Sequence, residues 1–178
     1  MGIPTLILAQ TADGDANVDF TANIDSTYDE YMFVFTDIGP GTDSADFKVQ
    51  FNAAGESGFN EVITSTTFEL TLGEDDSAGQ IGYGSSGDQA EGTAYQYLLY
   101  DIGSEADQSG AGILHLFSPA STTYVKHFYA TTNEVHVADV SQGAYIAGYV
   151  NTTAAIDEVS FKISTGVFDG VIQMYGIS

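Results

Sequence analysis

The sequence of 178 residues predicts an all-β protein, an antiparallel β-sandwich of the jelly-roll-like Greek-key type with about ten strands. Apolar residues recur at every second position along most of the chain, which is the period of a strand with one buried face. Clusters of Gly, Asp, Asn and Pro separate these runs, and no convincing helical stripe is present. The 11 Phe and 11 Tyr suit pleated surfaces.

One domain covering residues 1–178 is expected, because a chain of this length still forms one hydrophobic core. The chain has no Cys, so packing and partner subunits must supply its stability. Its start lacks the basic segment and the apolar length of a signal peptide or a membrane span. We therefore expect a protein that is made and retained in a cytoplasm until something releases it.

The predicted strands follow the alternating runs from the first residues to the last. The run Phe68, Leu70 and Leu72 alternates with Glu69 and Thr71 and is predicted to turn its apolar side chains toward a core. The full set of predicted strands covers residues 3–9, 17–21, 29–38, 46–52, 61–72, 93–102, 111–118, 123–131, 134–138, 143–150, 158–164 and 168–176.

Four segments stand out from the simple alternation. Residues 31–35, 95–100 and 113–117 are apolar on both faces, which predicts central strands or strands covered by a neighbour. Between residues 73 and 92 the chain is acidic and rich in glycine, which predicts a long exposed loop or a weak hairpin around Ile81 and Tyr83. This last segment is the one we expect to reach toward a partner.

Charge excludes two classes of partner. The chain has 25 acidic residues, three lysines (Lys48, Lys126 and Lys162) and no arginine, which gives a formal charge of −22. Binding to a nucleic-acid backbone requires several basic side chains on one surface, so no nucleic-acid partner is expected. Anionic membranes are disfavoured for the same reason. The acidic surface suits a particle exposed to salt water, where screening shortens the repulsion.

The histidines are the first candidates for metal binding. His115 and His127 lie on consecutive predicted strands, and a hairpin closing between them would place them nearly opposite each other. Two histidines with a carboxylate could hold a transition metal. The simpler interpretation is that His115, inside an apolar strand, is bonded to the backbone or to a neighbouring side chain. His136 resembles an ordinary outward strand position, and we assign it no role.

An acidic loop near the start has the alternating oxygen ligands that open a calcium loop. The residues that supply these oxygens are Asp13, Asp15, Asn17 and Asp19. The remainder of the motif is absent, since Val18 and Ile24 occupy the positions of its glycine and its bidentate glutamate. An acidic turn is the simpler interpretation, and it also applies to residues 73–79.

No catalytic, cofactor-binding or metal site is assigned from the sequence. The chain contains no nucleophile elbow, zinc-protease helix, P-loop or dinucleotide fingerprint. Paired carboxylates occur by chance among 25 acids, and neither Trp nor Arg is present to bind a sugar or a phosphate. An enzyme is therefore not expected. Tyrosine suits subunit interfaces and glycan contacts as well as sandwich rims, and this applies to Tyr95, Tyr97, Tyr100, Tyr124, Tyr129, Tyr145, Tyr149 and Tyr175.

Four segments resemble virion structural proteins of tailed bacteriophages of a marine, cyanophage-like type. They are IDSTYDEYMFVF (24–35), LHLFSPASTTYVKHF (114–128), AGYVNTTAAIDEVSFKISTG (147–166) and VFDGVIQMYGIS (167–178). The resemblance implies a structural role, as a capsid decoration (cement) protein or as a tail or fibre component. It also implies the major capsid protein or other virion proteins as partners, and self-association as a trimer or a similar cluster.

Both ends of the chain fit such a role, because they are apolar where free termini are normally polar. The last residues include Ile172, Met174 and Ile177, and the first include residues 3–8. We expect these ends to be buried against their own sheet or a neighbouring subunit, with strand addition as one mechanism.

The leading hypothesis is a non-enzymatic decoration protein on the outer surface of a virion. The high negative charge favours a position away from packaged DNA. The alternative is a tail-fibre or receptor-binding module that contacts a host surface glycan. An enzyme that degrades surface polysaccharide is the third hypothesis.

Overall fold

The computed structural model describes residues 2–76 and 79–178, which contain strands and turns but no helix. No helix in this described part therefore meets the length and hydropathy of a membrane span. The strands, in chain order, are β1 (Thr5–Asp15), β2 (Asn17–Phe20), β3 (Glu30–Pro40), β4 (Ala45–Ala53), β5 (Ile63–Gly73), β6 (Gln80–Tyr83), β7 (Gln96–Ile102), β8 (Gly110–Phe117), β9 (Lys126–His136), β10 (Val140–Val150), β11 (Ile156–Ile163) and β12 (Phe168–Ile177).

The strands form two antiparallel layers. The larger sheet has the order β1-β12-β3-β8-β9-β10-β5-β6, and the smaller sheet has the order β7-β4-β11-β2. A single residue pair, Ile102 of β7 with His136 of β9, connects the two layers. At the other end, the side-chain amide of Gln10 on β1 donates to the backbone oxygen of Asp19 on β2 at 2.8 Å. The sandwich is therefore nearly closed.

The strand order is that of a jelly roll with two additions. Strands β1-β12-β3-β8 form one four-stranded half, and β2-β11-β4-β7 form the other. The pairs β5–β6 and β9–β10 interrupt this series, and both extend the larger sheet beyond β8. The prediction of an all-β antiparallel sandwich is confirmed.

Phenylalanine rings from both sheets fill the centre. Phe161 of β11 lies 5.4 Å from Phe33 and 5.7 Å from Phe47, measured between ring centroids. Phe20 packs edge-on against Phe33 at 5.3 Å. All four rings are fully buried, and each such ring removes a large apolar area from water. These contacts hold the two layers together.

Several predicted boundaries were wrong. The first strand extends to Asp15 instead of ending near residue 9, and the predicted strands 123–131 and 134–138 form one strand, β9. Alternation continues through residues 131–134, with the polar side chains of Thr132 and Glu134 on the buried face. Of the predicted stretch 95–100, residues 96–100 belong to β7, which pairs with β4 and, through Ile102, with β9. Leu98, Leu99 and Tyr100 are buried, as expected for a strand covered by its neighbours. The hairpin around Ile81 and Tyr83 is confirmed as β5–β6.

The predicted orientation of β5 was also wrong. Its apolar side chains Phe68, Leu70 and Leu72 are 52%, 37% and 49% exposed, whereas Thr67, which directly precedes Phe68, is fully buried. Alternation fixes that neighbouring side chains point to opposite faces, but it does not fix which face meets the core. Part of β5 is therefore inverted, with apolar side chains outside and polar ones inside.

The two ends of the chain differ. Ile172 and Met174 are fully buried, and β12 pairs with β1 on one side and with β3 on the other. The expected burial of the last strand against its own sheet is therefore confirmed. At the start, Ile3 is 88% exposed and Leu6 is 51% exposed. β1 is the end strand of the larger sheet.

Candidate functional site: the neutral face of the larger sheet

The outward side chains of five adjacent strands form one surface without acidic or basic residues other than histidine. We call it the neutral face. It comprises Ile81 and Tyr83 of β6, Thr64, Thr66, Phe68, Leu70 and Leu72 of β5, Ser141, Gly143, Tyr145, Ala147 and Tyr149 of β10, His127, Tyr129, Thr131 and Asn133 of β9, and Ala111, Ile113, His115 and Phe117 of β8.

Strand register places the largest exposed side chains of this face in one row. Tyr83 pairs with Phe68, Phe68 with Tyr145, Tyr145 with Thr131, and Thr131 with Ile113. The first three are each more than half exposed. Side chains opposite each other on adjacent strands are close enough to contact, and the rings of Phe68 and Tyr83 meet edge-on at 6.3 Å. A row of exposed rings therefore runs from β6 across β5 to β10.

The neutral face is large for a free surface. Strands β5, β8, β9 and β10, spaced about 4.8 Å apart over the length of residues 64–72, give roughly 19 by 27 Å, and the four-residue β6 brings the area to about 580 Å². A typical monomer leaves about 300–600 Å² in its largest apolar patch. Since 25 of the 178 residues are acidic, a surface of this size without one is unusual for this chain and indicates a contact surface.

Two open grooves lie on this face. One, of about 560 Å³, lies beside Tyr145 between Leu70, Leu72, Ile81 and Gly143. The other, of about 430 Å³, lies at the opposite end of β9 and β10. It is lined by Phe117, His127, Tyr129, Ala147 and Tyr149, among others. Both are walled mainly by apolar atoms.

The structure confirms the predicted hairpin between the strands of His115 and His127, but not a direct histidine pair. His115 lies opposite Tyr129 and stacks on its ring at 4.5 Å, and its Nδ1 is 2.5 Å from Oε1 of Glu30. His127 contacts the ring of Tyr149 edge-on at 6.0 Å. His115 is thus bonded to a neighbouring side chain, as the simpler interpretation predicted. Among residues 2–76 and 79–178, no group of three or more His, Cys, Asp or Glu side chains could hold a metal ion.

The acidic loop near the start forms local bonds instead of a cage. Asn17 donates to Oδ2 of Asp19 at 2.9 Å, and Ser160 donates to Oδ1 of the same carboxylate at 2.5 Å. The backbone N–H of Gly14 donates to Asp169 at 2.8 Å. Of the second acidic loop, residues 73–76 and 79 are described, and Ser77 and Ala78 lie outside the described residues.

A polar cluster lies directly beneath the inverted part of β5. Glu134 of β9 is 1% exposed, and its Oε1 accepts the backbone N–H of Tyr100 at 3.2 Å. Buried oxygens without a hydrogen-bond partner among the described residues belong to Thr67, Glu69, Tyr100, Thr132 and Glu134. Such groups are costly to bury, so this layer is less well stabilised than the phenylalanine core.

Burial shifts the ionisation of this cluster. Burial raises the pKa of Glu134 to about 8, and the nearby Glu69 carboxylate adds to this rise. The hydrogen bond from the Tyr100 N–H lowers the same pKa in part. Burial also raises the pKa of the Glu69 carboxyl and of the Tyr100 hydroxyl. Removing water from around a carboxyl favours its neutral form. Glu134 is therefore largely protonated at neutral pH.

A turn at residues 84–87 covers the cluster. Gly84 packs closely on Oε1 of Glu69, and Gly87 packs closely on the hydroxyl of Tyr100. A β-carbon at either glycine would collide with these side-chain atoms. Gln96 donates to the backbone oxygen of Gly87 at 2.7 Å and so fixes the turn. The carboxylates of the cluster therefore do not line an open cleft.

The outer face of the smaller sheet is charged. Lys48 of β4 lies 3.2 Å from Asp46 and 3.8 Å above the ring of Tyr97. Lys162 of β11 lies 4.2 Å above the ring of Tyr95. The third lysine, Lys126 of β9, is buried, and its Nζ donates to two backbone oxygens at 3.1 Å. All three lysine side chains thus have partners within the chain.

Sequence reasoning singled out Tyr129, Tyr145, Ile81 and Tyr83 but missed the face that joins them. A signal was present in the alternate positions of residues 64–72, 127–133 and 141–149, which contain no acid in a chain otherwise rich in acids. Recognising it requires the knowledge that these strands are neighbours. The pairing of β5 with β10 joins segments more than 50 residues apart and is supplied by the fold.

Comparison with known proteins identifies no family. No protein-family model matches the chain, and no curated protein matches it. A structure of infectious bursal disease virus, Gt strain, is 10% identical, with 98% of this chain and 42% of that chain covered and a TM-score of 0.19. The VP2 subviral particle of the same virus is 14% identical, with the same coverage and a TM-score of 0.18.

The chain thus spans less than half the length of these two viral chains. TM-scores this low do not indicate a shared fold, so the functional interpretation depends on the surface of this chain.

Proposed function

We propose that this chain is a non-enzymatic structural protein of a virion that assembles with other protein subunits through its neutral face. The observation that carries the proposal is a five-strand face without Asp, Glu, Lys or Arg in a chain of charge −22. Protein interfaces are depleted in charge and enriched in aromatic residues at their centre. Phe68, Tyr83 and Tyr145 provide such a centre.

The interior supports a role without catalysis. The shifted carboxyls of Glu69 and Glu134 lie under the turn at residues 84–87. His115 has its Nδ1 against Glu30 and its ring stacked on Tyr129. A catalytic acid or base must reach the atom whose proton it transfers, and the covering turn denies that reach to the carboxyls of this cluster.

Within a virion we place the chain on the outer shell as a decoration protein, with the major capsid protein as its attachment partner. The jelly-roll sandwich and the resemblance of four segments to tailed-phage virion proteins support this position. The charge of −22 favours a site away from packaged DNA. β1, the end strand of the larger sheet, could add to a strand of the capsid protein.

Copy number in purified particles tests the proposal. A quantitative protein gel should show hundreds of copies per virion, because a decoration protein follows the symmetry of the shell. A few copies up to a few dozen would instead place the chain in the tail. Absence from particles, or turnover of a polysaccharide by the purified protein, would contradict the proposal altogether.

The second groove favours a tail-fibre or receptor-binding module as the alternative. Its rings Phe117, Tyr129 and Tyr149 lie beside His127, and sugars stack on aromatic rings between polar groups. Glycan-array binding that Tyr149→Ala abolishes, combined with tail-level copy number, would establish this function instead. Tyr124→Ala is the control, since Tyr124 is exposed outside that groove.

A further inference from the structure

The occupant of the neutral face can be inferred from its charge and shape. We propose that a second copy of this chain covers it, with the two larger sheets packed face to face about a two-fold axis. This inference rests on the proposed function, because it names the partner of the same face.

Charge restricts where two copies can meet. Each carries a formal charge of −22, so most ways of bringing them together place carboxylates against carboxylates. Like charges in close contact are strongly unfavourable once water is displaced. The neutral face lowers this cost, because its strands contribute no outward acid. The carboxylates bonded to it, Asp88 at Tyr83 and Glu30 at His115, come from outside these strands.

The same reasoning disfavours a partner with a basic surface. Such a partner would gain its affinity from the acidic groups of this chain. The neutral face offers none of them, whereas the outer face of the smaller sheet carries Asp19 and Asp46. A partner whose own contact surface is uncharged therefore fits this face, and a second copy of this chain supplies such a surface.

The shape of the face is complementary to itself. Tyr145, 58% exposed, projects from β10, and Gly143 of the same strand lines the groove of about 560 Å³ with Leu70 and Ile81. In a two-fold contact the same patch meets itself, so the Tyr145 ring of each copy can enter the groove of the other. Sheets that pack face to face interlock their side chains in this way at a spacing of about 10 Å.

The area is sufficient for a stable pair. About 580 Å² on each copy gives a total of about 1,160 Å², above the roughly 1,000 Å² that a specific interface should bury. A two-fold contact is complete with two copies, so it predicts a dimer. This differs from the trimer or similar cluster that we expected from the sequence.

Sedimentation velocity of the full chain between about 1 and 100 µM tests the inference, since interfaces of this size commonly dissociate in the micromolar range or below. We expect a monomer–dimer equilibrium. It should strengthen as NaCl rises from about 0.05 to 0.5 M, because salt screens the mutual repulsion of two acidic copies. A basic partner would show the opposite dependence on salt.

Ile81→Asp and Val167→Asp form a matched pair of variants. Each variant replaces an exposed β-branched side chain by a carboxylate; Ile81 is 74% exposed and Val167 is 41% exposed. Only Ile81 lies on the neutral face. Ile81→Asp should weaken dimerisation at least about tenfold, and Val167→Asp should leave it within about threefold. Tyr145→Asp, near the middle of the face, provides a second variant, and circular dichroism confirms that each one folds.

A wild-type chain that stays monomeric at about 100 µM in both salts would overturn the inference. So would a dimer that Ile81→Asp and Tyr145→Asp leave intact, because the contact would then lie elsewhere. Either failure would leave the virion assignment standing, since copy number in purified particles is measured independently.

Discussion

The outer faces of the two sheets differ in how they meet their surroundings. The smaller sheet presents Lys48 and Lys162 over tyrosine rings, and an ion pair with Asp46. The larger sheet presents Phe68, Tyr83 and Tyr145 to solvent, and the one carboxylate bonded to these side chains is that of Asp88, which accepts a hydrogen bond from the Tyr83 hydroxyl. The first surface is complete within the chain and suits water. We propose that the second gains stability when another protein covers it.

The layer beneath each face shows the same difference. The phenylalanine rings that line the smaller sheet pack against one another, whereas the inverted part of the larger sheet covers Glu69, Tyr100 and Glu134. On β5, the apolar side chains thus point outward at the place where polar side chains point inward. The chain gives up stability as a monomer at the place where it presents a contact surface.

The largest expected difference is between a core ring and an exposed ring. Phe161→Ala should lower the free energy of unfolding by about 3–5 kcal/mol, because Phe161 is fully buried among other rings. Phe68→Ala should cost less than about 1 kcal/mol in dilute protein, since Phe68 is 52% exposed. Urea denaturation at a concentration where the chain is monomeric measures both. Equal losses would mean that Phe68 belongs to the core.

The buried acid predicts a dependence on pH. The pKa of Glu134 is raised from 4.5 to about 8 in the folded chain, so the folded state holds a proton that the unfolded state has released. This contribution to stability is complete below pH 4.5 and is lost as pH rises through about 8. At about 1.4 kcal/mol per pKa unit the loss reaches several kcal/mol, and we expect about 2–4 kcal/mol.

Glu134→Gln should remove most of this loss, because glutamine stays neutral. Urea denaturation at pH 5 and pH 8 compares it with the wild type, and Glu91→Gln, at an exposed position, is the control. If Glu134→Gln loses as much stability over this interval as the wild type does, Glu134 is not the group responsible.

The smallest effect is expected on the charged face. Lys48→Met removes the ion pair with Asp46 and the contact with the Tyr97 ring, which together should contribute about 0.5–1 kcal/mol at low salt. About 0.5 M NaCl should reduce that difference, because salt screens surface charges. A loss above about 2 kcal/mol that salt does not change would show that this face is held as tightly as a core.

The sequence predicted most strands but not how β5 is oriented. Alternation is identical whichever side chains face inward, so Phe68 was assigned to a core that Thr67 partly occupies. The partner of His115 was also beyond reach, since Glu30 lies 85 residues away along the chain. The cluster of Glu69, Tyr100 and Glu134 combines three strands, and its burial follows from their assembly, not from any local pattern.

Tyrosine labelling with mass-spectrometric readout tests the central claim, that protein covers the neutral face after assembly. In dilute chain Tyr83, Tyr145 and Tyr124 should all react, being 56%, 58% and 73% exposed. In purified particles Tyr83 and Tyr145 should become protected, while Tyr124, outside the face, should remain reactive. If Tyr145 is labelled as readily in the particle as in the dilute chain, the neutral face is not covered and the account is contradicted.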